Sequence, residues 1–594
     1  MKKTSVRVVI GLLLILFAFG SSYMPKKTGQ APEFQPIEKV AEKISLNEGF
    51  AAIDYGIIAL YALIIVGVAL IVSRPKKGQE RSEEDYFLAG KSLPWWAIGS
   101  SLIAANISAE QFVGMSGSGF AIGLAIATYE WMAALTLIIV GKYFLPIFIE
   151  KKIYTIPEFV EKRFNTTLKT ILAVFWLGLY VFVNLATVLY LGALAMTTIT
   201  GGALPLWAGL LILAFFSIAY SIWGGLAAVA WTDVIQVVVL VLAGIVTTIL
   251  ALNAVGGSVA GGFAEIVSAA PDHFAMILSR DHPEFHNLPG IGVLLGGMWV
   301  ANLYYWGFNQ YIIQRTFAAK SLQESQRGIV FAAVIKLIIP LIVVIPGIAA
   351  YVMYQKGMIS MPLMDDGSVK NDAAYPTLLN LLPAGVKGIA FAGLIAAIVS
   401  SLASMLNSTA TIFTMDIYKP YINKGASSRR LVNVGRLTAF VALIIAVPMS
   451  LIMSQAGQVF QVIQEYTGLV SPGILAIFLL GLFWKKATTK GAIWGAILSI
   501  VFALALKIPA KLGLIDLPFM HQMGLTCLFT MAVIAVVSFL ELGKKDDPKG
   551  IEISAGMFKT DSVFNIVAYA ICIILVGLYV IFWNSGMVTK VFGL

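Results

Sequence analysis

The chain has 594 residues, of which 59% are apolar and only 12% are charged, and its net charge is +10. A soluble globular protein carries about 25% charged residues, so this composition excludes an ordinary soluble enzyme or nucleic-acid-binding domain. The basic residues cluster in loops between apolar runs of about 20 residues, a length that crosses a hydrocarbon core as a helix. The sequence therefore predicts an all-α polytopic membrane protein.

The N-terminal segment 1–24 has the pattern of a signal-like leader. It begins with basic residues, continues with an apolar run from Val8 to Gly20 and ends in small residues. The apolar run is short for a membrane span and is typical of a cleaved signal sequence, with an uncleaved anchor as the alternative. The polar segment 25–50 is predicted to face outward.

Fourteen apolar spans follow this leader. Their predicted bounds are 52–73, 93–116, 121–149, 170–199, 206–228, 231–254, 290–313, 328–354, 386–412, 433–454, 457–483, 491–507, 523–542 and 563–584. Alternate loops, such as "RPKKGQER", are rich in Lys and Arg, whereas "TITGGALP" on the other side contains neither. Because basic loops stay in the cytoplasm, and the number of spans is even, both termini are predicted to face outward.

Two of these spans contain residues that interrupt helices. The second span includes "GSSLIAANISAEQFVGMSGSG", and the seventh has Gly307 between two aromatic residues. Each is the first span of a possible five-span unit, a pattern typical of transporters built from inverted repeats. The predicted organisation is a peripheral helix at 52–73, a first repeat at 93–254, a second repeat at 290–483, peripheral helices at 491–584 and an outward-facing tail at 585–594.

Five polar residues lie at membrane depth within these spans: Gln111, Glu130, Asn302, Lys336 and Gln464. Intramembrane ionisable groups usually face a cavity and find partners, so Glu130 and Lys336 are predicted to pair. The pair could fix helix packing, or it could belong to a binding site. Donors and acceptors in this mixture suit a neutral ligand with many hydroxyl groups. Aromatic residues that suit a sugar ring, or simply core packing, lie close by in the sequence: Tyr129, Tyr304, Tyr305, Trp306 and Phe460.

A second polar group, "AAIVSSLASMLNST", occupies residues 396–409. Small residues of this kind favour close helix packing. The adjacent hydroxyl groups of Ser400 and Ser401 would also suit a hard cation such as sodium, together with carbonyl groups from unwound backbone. Asp233 belongs either to the cation path or to a helix cap. The motifs HExxH, GxSxG and CxxC are absent, so neither an enzyme activity nor an organic cofactor is expected.

Long motifs in chain order carry a resemblance to a known family. They are "DYFLAGKSLPWW", "SLIAANISAEQF", "GKYFLPIFIEK", "YTIPEFVEKRFN", "WTDVIQV", "NLYYWGFNQYIIQRT", "IVSSLASMLNSTATIFTMDIY" and "QEYTGLVSPGILA". Over roughly residues 50–585 the chain resembles the sodium/solute symporter family, most closely its bacterial sodium/galactose symporters. The resemblance implies 14 helices, a leucine-transporter-like core of two inverted five-helix repeats with broken first helices, and sodium-coupled uptake of a monosaccharide across the bacterial inner membrane by alternating access.

The resemblance also implies roles for individual residues. Sugar hydroxyls would be bound by Gln111, Glu130, Asn302, Lys336 and Gln464, beside Trp306, with Tyr305 stacked on the ring as an inner gate. Met115, Tyr129 and Phe460 would form an outer gate. Sodium would be held by backbone oxygens of Ala104, Ile107 and Ala397 and by the hydroxyls of Ser400 and Ser401, with Asp233 on its path.

One position departs from the family pattern and leaves the substrate open. Ala133 stands where the galactose binders have Ser in "EWMS", so one hydroxyl contact is missing. The alternatives are the same machinery carrying an inositol, an amino acid or an organic acid, and a transporter-derived sensor.

Overall fold

The computed structural model describes residues 44, 46, 49–72, 91–153, 155–223 and 226–593. The predicted leader 1–24 and most of the polar segment 25–50 lie outside the described residues. Within the described part the chain is helical and contains only two isolated β-bridges besides helices, turns and loops. Ten of the described helices are long and apolar enough to cross a membrane.

We number the principal helices in chain order. They are α1 (Ala52–Val72), α2 (Trp95–Asn106), α3 (Ser116–Ala121), α4 (Leu124–Glu150), α5 (Ile156–Arg163), α6 (Thr166–Ile199), α7 (Leu206–Trp223), α8 (Leu226–Gly256), α9 (Val259–Ala269), α10 (Gly297–Phe308), α11 (Gln310–Ile313), α12 (Leu322–Gln355), α13 (Val386–Ile422), α14 (Ser428–Met453), α15 (Val459–Phe483), α16 (Thr489–Lys511), α17 (Phe519–Leu542), α18 (Ser562–Ile581) and α19 (Ser585–Phe592).

Several helices extend beyond the apolar runs that predicted them. Helix α12 begins at Leu322, before the predicted start at 328, because the Ser321 hydroxyl accepts a hydrogen bond from the Glu324 N–H at 3.2 Å. Such a cap satisfies a free donor of the first turn and lets polar residues extend the helix. The predicted tail 585–594 likewise contains α19, which Asn584 caps.

Helix α8 also begins earlier than its apolar run. It starts at Leu226, so Asp233 lies inside the helix and not at its cap. The capping alternative for Asp233 is therefore wrong.

The helix is broken in each of the two spans where the sequence predicts an interruption. Helix α2 ends at Asn106, and Ile107 is extended with φ −79° and ψ 97°. The wide π-type turns Glu110–Met115 then lead into α3. Helix α10 ends at Phe308, and Asn309 is extended with φ −88° and ψ 117° before α11. Backbone of this kind is tolerated at membrane depth only where protein or a cavity surrounds it.

The long helix α12 places its centre beside the first break. It packs against α2, α3, α4 and α8. Two glycines allow the close approach of α2 and α12: a Cβ atom at Gly99 would lie 2.6 Å from the Gly328 carbonyl oxygen, and one at Gly328 would lie 2.8 Å from the Trp95 carbonyl oxygen. Helix α15 packs on α10, and α13 packs on α2 and α8, so these helices surround both breaks.

Candidate functional site

A narrow cavity of about 60 Å³ touches both helix breaks. Its lining residues are Asn106, Glu110, Gln111, Tyr129, Glu130, Ala133, Leu179, Asn184, Ala301, Asn302, Tyr304, Tyr305, Trp306, Asn309, Lys336, Phe460, Ile463, Gln464 and Thr467. The structure thus brings together all seven residues predicted to bind the substrate, from α4, α10, α12, α15 and the turn after α2. Because ligand pockets usually measure about 300 Å³ or more, a ring-sized solute would need these side chains to move apart.

The only charged pair among the lining residues is Glu130 with Lys336. The Lys336 ammonium lies 2.5 Å from Glu130 Oε2, and the two side chains are 0% and 4% exposed. Lys336 also donates to Asn106 Oδ1 and lies 5.0 Å from the centre of the Trp306 ring. The predicted pairing is therefore confirmed. The second Glu130 oxygen has no hydrogen-bond donor among the described residues, which leaves it available to a ligand.

Asn106 was missed by the sequence analysis, although it is a polar residue at membrane depth next to the predicted break. Its amide group donates to the Tyr305 hydroxyl at 3.2 Å, while its oxygen accepts from Lys336. The Tyr311 hydroxyl donates to the same Tyr305 oxygen at 3.2 Å. Asn106 thus fixes the position of Lys336 and of the predicted inner gate, Tyr305, at once.

Two of the three predicted outer-gate residues meet at one end of the cavity. The rings of Tyr129 and Phe460 lie edge to face, with centres 5.0 Å apart and planes at 88°, a favourable geometry for aromatic pairs. Both residues lie near the N-terminal ends of their helices, α4 and α15. Met115, the third, is fully buried in the wide turns and does not line the cavity.

A loop outside the membrane helices contacts the start of α15, which carries Phe460. Asp372 lies in the loop between α12 and α13, is 1% exposed and accepts a hydrogen bond from the Val459 N–H at 3.1 Å. Val459 precedes Phe460 in α15. Burial raises the pKa of the Asp372 carboxyl to about 8. The loop therefore contacts the helix that carries Phe460 through a buried acid.

The predicted sodium ligands lie around a second buried polar cluster. The Ser400 hydroxyl donates to Asp233 Oδ1 at 3.2 Å, and the Ser101 hydroxyl donates to Asp233 Oδ2 at 2.7 Å. The Arg315 guanidinium donates to Ser101 Oγ at 2.9 Å and lies 3.6 Å from Asp233 Oδ2. Arg315 was missed by the sequence analysis, because it follows an apolar span and resembles an ordinary basic loop residue. Both side chains are 1% exposed and 3.6 Å apart, so Arg315 is the counter-charge of Asp233.

These residues fit a hard cation. Ser401 is 4% exposed, and its hydroxyl has no hydrogen-bond partner among the described residues. Ser400 gives its proton to Asp233, so its oxygen lone pairs remain available to a cation. Ala104 on α2, Ile107 at the first break and Ala397 on α13 are also buried. Helices α2 and α13 pack against each other. The described residues hold no group of three or more His, Cys, Asp or Glu side chains that would suit a transition metal.

Comparison with known proteins assigns the chain to one family. Residues 86–499 match the model of the sodium:solute symporter family. The chain therefore belongs to that family: it is a multi-pass membrane protein that couples solute transport to sodium, and it is not an enzyme.

Individual relatives support the same assignment. The chain is 62% identical over 547 residues to a sodium/glucose cotransporter of Vibrio parahaemolyticus, covering 91% of this chain and the whole of that protein. It is 33% identical to human sodium/myo-inositol cotransporter 2, covering 80% of this chain and 72% of that one. It shares the fold of a sodium-coupled sialic acid symporter solved in a substrate-bound outward-open state, with a TM-score of 0.70, 24% identity, and coverage of 83% of this chain and 98% of that one.

Proposed function

We propose that this protein is a sodium-driven importer of a neutral monosaccharide, similar to glucose or galactose, which binds in the cavity between the two breaks. The observation that carries the proposal is the convergence of Gln111, Asn302 and Gln464 on the Glu130–Lys336 pair. These groups offer donors and acceptors to several hydroxyls, and the aromatic rings of Tyr305 and Trp306 offer apolar faces to a sugar ring. The name of the Vibrio relative supports the same substrate class.

The proposed architecture has fourteen spans and a leucine-transporter-like core. Its repeats are 93–254 and 290–483, with the breaks after α2 and α10 in the first helix of each repeat. The helix at 52–73 and the helices at 491–584 are peripheral. Both termini are placed outside the inner membrane of a bacterium, because the basic loops then face the cytoplasm. Break positions in corresponding helices support this pairing of the halves.

In the proposed mechanism, sodium binds first and stabilises the outward-open state. It would be held by the backbone oxygens of Ala104, Ile107 and Ala397 and the hydroxyls of Ser400 and Ser401. Sugar would then bind between the breaks and bring Tyr129 and Phe460 together, which closes the outer gate. Release of sodium inside would free Tyr305 and open the inner gate. A ligand shifts such an equilibrium only through its different affinities for the two states.

The sodium gradient is sufficient for concentrative uptake. One charge moving through 100 mV supplies about 2.3 kcal/mol. A tenfold sodium gradient adds about 1.4 kcal/mol. At one sodium ion per sugar these terms sustain a sugar gradient of roughly 500-fold, since each factor of ten costs about 1.4 kcal/mol.

The nearest second candidate is a cyclic polyol such as an inositol. The human relative named for myo-inositol and the missing hydroxyl at Ala133 favour testing it. An organic acid is disfavoured, because the Lys336 cation is already paired with Glu130 and does not offer a free positive charge.

The test is uptake of labelled solutes into proteoliposomes. A panel of glucose, galactose, myo-inositol and an amino acid is compared with an inward sodium gradient and with choline in place of sodium. We expect sodium-dependent accumulation of one or both hexoses, abolished by dissipating the sodium gradient. Accumulation of the amino acid in preference to every hexose would contradict the proposal, and uptake that is equal in choline would contradict sodium coupling.

A further inference from the structure

Glu110 is a buried carboxylate in the cavity that the proposed sugar contacts do not use. It lies in the wide turns after the first break, is 9% exposed and lines the cavity next to Gln111. Among the described residues, no donor makes a hydrogen bond to its side chain and no cation pairs with it. Its backbone N–H donates a hydrogen bond to Ser108 Oγ at 3.4 Å.

The local backbone explains why both neighbours face the same cavity. Glu110 and Gln111 are consecutive in the chain and both line the cavity, as Tyr129 and Glu130 do on α4. The extended residue Ile107 and the wide turns that follow it bring the two side chains to the cavity together. The break thus presents an additional acidic group at the substrate position.

The charge balance of the cavity then points to a ligand. Its charged lining residues are Glu110, Glu130 and Lys336, so two carboxylates face one ammonium group. Because Lys336 lies 2.5 Å from Glu130 and also donates to Asn106, its charge is already compensated. A buried carboxylate without a partner is unfavourable, and a ligand that supplies positive charge at this point removes the penalty.

We propose that Glu110 makes this transporter accept amino sugars, that is, hexoses in which a protonated amine replaces one hydroxyl. An ammonium group donates up to three hydrogen bonds to carboxylate oxygens, whereas a hydroxyl donates one. The remaining hydroxyls bind as in the neutral sugar, and the inference rests on the proposed sugar site. The same excess negative charge excludes sugar acids, because a uronate carboxylate would face Glu110 and Glu130 without a free cation.

The experiment measures competition with sodium-driven uptake of labelled glucose or galactose, whichever is transported, in proteoliposomes. Unlabelled glucosamine, galactosamine, 2-deoxyglucose and glucuronate are titrated against wild type, Glu110→Gln and Glu150→Gln. Glu150 is a matched control, since its carboxylate is half exposed at the end of α4 and outside the cavity. In wild type and Glu150→Gln the amino sugar should compete at least tenfold better than 2-deoxyglucose, and glucuronate should not compete.

In Glu110→Gln the preference for the amino sugar over 2-deoxyglucose should fall at least tenfold, while half-saturation by sodium stays the same. Glu110→Asp, which keeps the charge, should retain most of the preference and covers the case in which the Gln variant folds poorly. In wild type, labelled amino sugar should also carry one more positive charge per molecule than the hexose in a charge-to-uptake measurement.

The outcomes separate this inference from the proposed function. If no hexose is taken up with sodium, the proposed function fails. If a hexose is taken up but amino sugars do not compete, or if Glu110→Gln leaves their preference unchanged, only the role of Glu110 is overturned. A change in sodium half-saturation alone would assign Glu110 to the cation site and would equally overturn the inference.

Discussion

Replacing Glu130 by Gln tests whether this buried acid serves the fold or the ligand. Gln keeps the size of the side chain and one acceptor but removes the charge that faces Lys336. The structure gives the two carboxylate oxygens different surroundings: Oε2 lies 2.5 Å from the Lys336 ammonium, and the other oxygen has no donor among the described residues. Glu130 can therefore both stabilise the fold and bind the sugar, and the free energy of each contribution can be measured separately.

The magnitudes follow from these contacts. Removing one partner of a fully buried ion pair typically costs about 3–5 kcal/mol of stability. Here Lys336 retains the Asn106 oxygen and the Trp306 ring, which is worth about 0.5–2 kcal/mol as a cation–π contact, so the loss should be near the lower limit. The lost charged hydrogen bond to a sugar hydroxyl should cost about 1.5–3 kcal/mol. That equals roughly a 10- to 150-fold weaker affinity.

The assay combines thermal unfolding in detergent with sugar binding by wild type, Glu130→Gln, Lys336→Met and the double variant. If the stability loss comes from an uncompensated ammonium group, the Gln substitution should cost little in the Lys336→Met background. Deoxy analogues of the transported sugar identify the contact: the one that lacks the contacted hydroxyl should bind wild type poorly but lose little more in Glu130→Gln. If every deoxy analogue loses affinity by the same factor in both proteins, Glu130 does not contact the sugar and the reasoning is refuted.

Three further predictions concern the cation cluster and the loop that carries Asp372. Ser401→Ala should raise the sodium concentration for half-maximal uptake roughly tenfold, about 1.4 kcal/mol, while Ser408→Ala on the same helix should not; equal sodium curves would remove Ser401 from the site. Arg315→Gln should lower that sodium concentration, because Asp233 loses its counter-charge beside the ion; a higher value would contradict a role of Asp233 on the sodium path. Asp372, with a pKa raised to about 8, holds its proton longer when folded than when unfolded, so stability should fall as pH rises from about 4 to 8, by at most about 1.4 kcal/mol per pH unit. Asp372→Asn should flatten this dependence in thermal unfolding between pH 5 and 8, and an unchanged slope would show that another group is responsible.

The sequence predicts the all-helical membrane fold and the grouping of its intramembrane polar residues, because the bilayer penalises unpaired polar groups severely. A polar group in a long apolar run needs a partner, so Gln111, Glu130 and Lys336 are visible in the sequence as members of a site. Glycine and serine clusters similarly identify the span that contains the first break, which the structure places at Ile107. Both inferences rest on the same cost of unsatisfied groups in a dry environment.

Other features depend on geometry that composition does not encode. Asn106 and Glu110 are as polar as the predicted residues, but only the backbone path through the break shows that both reach the cavity. Arg315 follows an apolar span and resembles a cytoplasmic anchor until the fold brings it to Asp233. Helix α12 also begins six residues before its predicted span. The Ser321 cap adds polar residues to the helix that a hydropathy pattern assigns to a loop.

The break after α2 explains how a single element can serve both the ion and the solute. Ile107, a proposed sodium ligand through its carbonyl oxygen, directly follows Asn106, which binds Lys336 and Tyr305 through its side chain. An ion that fixes the carbonyl of Ile107 therefore also restricts the backbone that orients Asn106. If sodium and sugar favour the same state through this shared segment, each must tighten binding of the other by the same factor. The unwound backbone, which costs stability in the membrane, is thus the part of the structure that can make uptake depend on sodium.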